Sequence, residues 1–115
     1  MHRDIQMENW TAVCPLEAIV PNTGVCALVG GQHVAVFHVT ADQPRFYAIG
    51  NFDPNSGASV LSRGLVGSLG ERIVVASPIY KQHFDLATGE CLEAPENSVA
   101  SYRTRIEGGK VWVAP

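Results

Sequence analysis

The residue types able to grip a metal or attack a substrate are four histidines, three cysteines and eleven carboxylates, and their spacing argues against both chemistries. Cys14, Cys26 and Cys91 form no CxxC or CxH pair, so a structural zinc lacks its paired ligands. Their odd number argues equally against a disulfide framework, and all three read as small buried hydrophobes in a reducing compartment. His33 and His38 stand five apart on a candidate strand, hence on opposite faces, and cannot share a metal. His2 belongs to a loose terminus, and His83 is a lone imidazole that reads as a surface or packing residue. No Ser–His–Asp or Cys–His arrangement supplies a paired base and orienting group, so nucleophilic catalysis has no candidate. Asp53 with Asn55 offers too few hard oxygens for calcium or magnesium, and Asp53 reads instead as an Asx residue capping its own loop. Without a GxGxxG after a strand, no nucleotide site is proposed either. What remains is binding.

The elements that would position a binding surface are strands and turns. The 115 residues carry eleven Gly and seven Pro, which punctuate short runs of Val, Ile, Tyr, Phe and Thr. Val25–Val29 and His33–Val39 flank the Gly30-Gly31-Gln32 loop, and apolar residues on both alternations of 34–39 predict a strand covered on both faces. Arg45–Ile49 and Glu71–Ala76 are further strands, and Phe84–Leu86 pairs with Cys91–Leu92 across a four-residue turn. At the C-terminus Tyr102, Thr104 and Ile106 alternate inward against Ser101, Arg103 and Arg105, before Gly108-Gly109 turns the chain into Lys110–Val113. Helical turns are expected only at Pro15–Ile19 and Ala58–Arg63. Trp10 and Trp112 read as core or edge packing, and Met1–Glu8 as a frayed end.

Length, 46% hydrophobic and 17% charged residues place the whole chain, 1–115, in one globular domain. A net charge of −3 and a pI near 5.7 argue against nucleic acid and against an anionic membrane surface. No apolar run approaches the roughly 18 residues of a spanning helix. The absence of a leader pattern sets a cytoplasmic location as the expectation.

The segment 46–95 is the informative one. It carries Asp53-Pro54-Asn55 with Gly57 after it, then Ser77-Pro78-Ile79-Tyr80, then Phe84-Asp85-Leu86-Ala87-Thr88-Gly89 and Pro95. This resembles the cluster-binding half of a Rieske [2Fe–2S] domain, whose loops read Cys-Pro-His and Cys-Pro-x-His ahead of a Phe-Asp-Leu-x-Thr-Gly turn. The resemblance implies an all-β, Rieske-like antiparallel β-sandwich or small barrel with an inserted two-loop hairpin subdomain. It also aligns the four ligand positions with Asp53, Asn55, Ser77 and Tyr80. None is a thiolate or an imidazole, so the ligand field of such a cluster is absent, and no cofactor is expected in this chain. Backbone amides around an emptied site cost about 1–3 kcal/mol each if unpaired, so Ser77 and Tyr80 are expected to hydrogen-bond each other or the opposite loop.

The likeness narrows further. Trp10…Cys14, Thr23–Leu28, Asp53-Pro54, Ser59–Gly64, Val75–Pro78, Lys81-Gln82-x-Phe84 and Gly89-x-Cys91 together resemble the small subunits of NAD(P)H-dependent nitrite reductases. That resemblance implies docking on a large subunit carrying FAD, siroheme and a [4Fe–4S] cluster, which reduces nitrite to ammonium in nitrate assimilation. The docking candidates are Pro54, Arg63, Pro78, Ile79, Lys81 and Gln82, in and around the two loops. The competing expectation is a free-standing cluster-less module serving another oxidoreductase, and an electron-carrying ferredoxin is disfavoured by the ligand count.

Overall fold

The computed structural model describes residues 9–40 and 45–115. Met1–Glu8 and His2 within it, read from sequence as a frayed end, lie outside the described residues. Eleven strands follow in chain order: β1 (Thr11–Pro15), β2 (Thr23–Val29), β3 (Gln32–Val39), β4 (Arg45–Gly50), β5 (Phe52–Asp53), β6 (Ala58–Ser59), β7 (Leu65–Leu69), β8 (Arg72–Ala76), β9 (His83–Asp85), β10 (Ser101–Glu107) and β11 (Lys110–Ala114). The only helical pieces among the described residues are 3-10 turns at Leu16–Ala18, Leu61–Arg63 and Pro95–Asn97.

Six strands form one antiparallel sheet in the order β1-β11-β10-β4-β3-β2. It curls far enough that its two edges, β1 and β2, line one cleft of about 330 Å³ through Val13, Cys14, Val25 and Ala27. Inserted between β4 and β10 are the β5–β6 pair and a three-stranded sheet β7-β8-β9.

β3 is the wall between two cores, which explains why its sequence is apolar on both alternations. Ala35, Phe37 and Val39 point to a cluster with Ile49, Leu61, Val75, Phe84, Leu86 and Cys91, the core of the inserted half. Val34 and Val36 point the other way, toward Ile19, Val29, Phe46, Ala48, Val111 and Val113 inside the curled sheet. Burying a Phe or Leu side chain is worth about 1.5–3 kcal/mol, so each half draws its stability from a shared strand.

The expected inward position of Ile106 is corrected: it is 51% exposed. β10 pairs with β4 only at Ser101 and Tyr102 and runs on with β11 alone, so its inner face at Ile106 has left the core behind. Tyr102 packs on the sheet interior, and Thr104 donates from Oγ1 to Phe46 O at 2.8 Å, as their alternation requires. Trp10 is half-buried beneath the guanidinium groups of Arg103 and Arg105, 5.2 and 5.3 Å from their carbons, and Trp112 donates from Nε1 to Glu107 O.

A candidate docking site at two matched loops

Both loops of interest are built to one plan. In the first, 53–57, the Gly57 amide donates to Asp53 O at 2.7 Å, closing a turn over five residues. In the second, 77–81, the Lys81 amide donates to Ser77 O at 3.0 Å. The leading side chain in each accepts from the amide two residues on, Asn55 N to Asp53 Oδ1 at 2.9 Å and Ile79 N to Ser77 Oγ at 3.4 Å. A proline follows each leading residue and fixes φ there. Each turn ends in the left-handed region, at Gly57 with φ +73° and Lys81 with φ +68°.

The leading residues meet. Ser77 Oγ donates to Asp53 Oδ2 at 2.5 Å, and both residues are 0% exposed. The two positions that the sequence resemblance aligns with thiolate ligands are thus joined by a hydrogen bond, which leaves each carboxylate oxygen with a partner and no lone unpaired charge. The Asx role expected of Asp53 is what the geometry shows.

The other two positions that the resemblance aligns with cluster ligands diverge. Asn55 is tied inward: its Nδ2 lies 3.7 Å from Cys91 Sγ, and its Oδ1 accepts from Asn97 Nδ2 at 2.8 Å. Tyr80 is 60% exposed and forms none of the expected hydrogen bonds to Ser77 or the opposite loop, which corrects that expectation. The Tyr80 ring turns to water, and Ser77 and Asp53 make the contact between the loops.

Of the six docking candidates, Arg63, Pro78, Ile79 and Lys81 are exposed, whereas Pro54 and Gln82 are half-buried. The Gln82 carbonyl accepts from Ser77 N at 2.9 Å, and its buried Oε1 has no partner among the described residues. Leu65, at 77% exposure, was not singled out from sequence; it lies across from Ala76 at the base of the second loop. Asn51 was also missed. It is buried, accepts from the Ser62 amide at 2.7 Å, donates to Ser59 Oγ at 2.8 Å, and braces the chain leaving the first loop. Its only sequence signal is a polar residue directly after a strand.

His83 stands beside the second loop but is engaged by Glu93, which accepts from His83 N at 2.8 Å and lies 2.6 Å from Nδ1. Burial alone would raise the Glu93 carboxyl. The His83 amide and imidazole and Glu93's own backbone outweigh that and hold it below the usual glutamate range. Burial pushes the Cys14 thiol up, so it stays protonated in its cleft.

The residues present do not fit a [2Fe–2S] cluster. Asp53 and Ser77 are spent on each other, Asn55 on Asn97, and Tyr80 faces solvent. Cys91 is a single buried thiol, and the described residues hold no group of three or more His, Cys, Asp or Glu placed to bind a metal.

Residues 9–114 match the family described as the Rieske-like [2Fe-2S] domain. The nitrite reductase (NADH) small subunit of Salmonella typhimurium is 45% identical over 106 residues, 91% of this chain and 96% of that one. This chain belongs to the nitrite reductase small-subunit family. Its fold agrees with that membership: the solution structure of the nitrite reductase [NAD(P)H] small subunit from Erwinia carotovora superposes with a TM-score of 0.78 at 48% identity, covering 95% of this chain and 83% of that one. A third relative is of a different kind. The nitrite reductase [NAD(P)H] large subunit of Klebsiella oxytoca is 41% identical over 104 residues, which are 90% of this chain but only 11% of that protein. A segment of that large subunit is thus similar to nearly the whole of this chain. No helix of the described residues is long and apolar enough to cross a membrane.

Proposed function

We propose that this chain is the cluster-less accessory subunit of a cytoplasmic, assimilatory NAD(P)H-dependent nitrite reductase, docking through its second loop on the large subunit that carries FAD, siroheme and a [4Fe–4S] cluster. The observation that carries the proposal is the contrast at the four former ligand positions, where a hydrogen bond holds the loops together and the exposed edge is left free for contact. Pro78, Ile79 and Tyr80 offer an apolar tip, and Arg63 and Lys81 flank it with no acidic partner among the described residues. Such a surface suits an apolar patch rimmed by carboxylates. The chain itself carries no electrons: it supplies contact, while nitrite reduction to ammonium proceeds on the partner.

The fused Klebsiella relative supports this partner over another oxidoreductase, because covalent linkage keeps the two units in one enzyme. The test is co-expression with the large subunit. The purified small subunit should be colourless, inactive alone, and retained by a tagged large subunit, with Ile79→Glu or Lys81→Glu abolishing retention. Stoichiometric iron and acid-labile sulfide in the isolated chain would overturn the cluster-less reading. A large subunit that reduces nitrite fully and binds nothing would overturn the accessory role.

A further inference from the structure

We infer that β7 is a self-pairing edge, through which two copies of this chain join their three-stranded sheets into one of six strands. β7 reads Leu-Val-Gly-Ser-Leu, without a charge or a proline, and it forms the outer edge of the β7-β8-β9 sheet. Natural edges are normally blunted by charge, proline or a bulge, so an uncharged edge between two glycines calls for a covering strand. Leu65 and Leu69 remain 77% and 44% exposed on the outer face, and nothing lies within 4 Å of a Cβ built at Gly67 between them. An open cleft of about 280 Å³ is lined by Val66, Gly67 and Ser68 together with Asn22, Val39, Thr40 and Ile73.

The hairpin geometry says which backbone groups are on offer. Leu69 and Arg72 close it across the two-residue turn Gly70-Glu71, so Leu69, Gly67 and Leu65 bond to β8 while the amides and carbonyls of Val66 and Ser68 point outward. The Ile73 carbonyl, opposite Ser68, accordingly turns away to accept from Leu86 N at 2.9 Å. No described residue forms a backbone hydrogen bond with that outward edge.

The occupant is fixed by self-complementarity. An antiparallel two-fold centred on Gly67 sets Val66 opposite Ser68 of the second copy, so both outward pairs bond reciprocally. The same register sets Leu65 against Leu69 on the exposed face, covering both leucines at once. It also brings the end bearing Arg63 beside the end bearing Glu71, two exposed groups of opposite sign with no ion pair among the described residues. Every feature of the edge finds its complement in itself.

The test is sedimentation velocity on the intact chain over a concentration series. A reversible dimer is expected, weak because the contact is small. Ser68→Pro removes an outward amide without touching the hairpin's own bonds and should leave a folded monomer. Leu65→Lys should lower association by at least about tenfold by exposing a charge on the paired face. Arg63→Glu and Glu71→Arg should each weaken the dimer severalfold, and the double reversal should restore it. A wild-type chain that stays monomeric throughout, or a Ser68→Pro chain that still dimerises, overturns the inference. So does a monomeric wild type whose large-subunit binding is lost in Ser68→Pro, since the edge would then take a strand of the partner. Single reversals without effect would overturn the register about Gly67.

Discussion

The two loops share a backbone plan and differ in what their side chains do. The first is turned inward: Asp53 is fully buried, Asn55 is bonded to Asn97, and Pro54 is half-covered. The second shows Pro78, Ile79, Tyr80 and Lys81 to solvent, with only its leading Ser77 buried. The difference teaches that two loops of one backbone plan can be held together by a single buried donor–acceptor pair while only one of them presents its side chains to solvent. The hydrogen bond from the Ser77 hydroxyl to the Asp53 carboxylate joins the loops at their base and leaves the outer half of the second loop exposed.

The largest break of this comparison is at Asp53. Asp53→Ala orphans the Asn55 amide and the Ser77 hydroxyl and opens a cavity, so urea denaturation should show a loss of about 3 kcal/mol. Asp53→Asn keeps one acceptor and turns the other into an amide donor that Ser77 Oγ meets only by reversing its hydrogen bond, and should cost about 1 kcal/mol, which separates the charge from the shape. Ile79→Ala and Tyr80→Ala lie at the exposed loop and should stay within about 0.5 kcal/mol of the parent. The same two substitutions carry the next effect in the opposite observable. Together they should weaken large-subunit binding by at least about tenfold, equal to about 1.4 kcal/mol, measured by titration of the tagged partner. Equal stability losses in both loops would erase the distinction.

Glu93 sharpens the comparison through its contact with His83, the first residue of the strand leaving the second loop. Its carboxyl is held below the usual range when folded, so the pair stabilises above the unfolded glutamate pKa and loses that contribution as pH falls through the folded one. Glu93→Gln should therefore destabilise at neutral pH and converge with the parent in acid. Because the side chain is 47% exposed, the gap should be under about 0.5 kcal/mol. Thermal melts from pH 7 to 3 would show it.

Much of this arrangement was legible in the residues, for definite reasons. The two-sided burial of β3 was written in Val34–Val39, because a strand between two cores has no polar alternation to show. The Phe84–Gly89 turn was legible because its chemistry is local. Asp85 accepts from the Ala87 and Thr88 amides, and a Cβ at Gly89, φ +83°, would sit 2.1 Å from Val99 O. β1 was not assigned from sequence, since five residues pairing only with the distant β11 carry no nearby turn signal. The exposure of Tyr80 was hidden for a similar reason. Which of the four side chains at these positions joins the loops depends on the separation of the two loops, a tertiary distance that spacing along the chain does not encode. The sequence pattern identified the loops; only their approach revealed that Ser77 and Asp53 suffice.

The smallest prediction tests the second loop against itself. Lys81 takes the left-handed conformation that Gly57 takes in the matching turn, and its Cβ makes that conformation cost about 1 kcal/mol. Lys81→Gly removes the strain but gives the unfolded chain more freedom, so the net gain should be small, about 0.5 kcal/mol, in urea denaturation. The substitution also deletes a cation at the exposed tip, so binding to the large subunit should fall severalfold while stability rises. Lys81→Ala removes the cation and retains the strain, and should weaken binding alike without the gain in stability. Opposite signs for Lys81→Gly in the two measurements would show that a strained residue is kept there for contact. A gain in both would mean that the charge contributes nothing and that the second loop, like the first, is only structural.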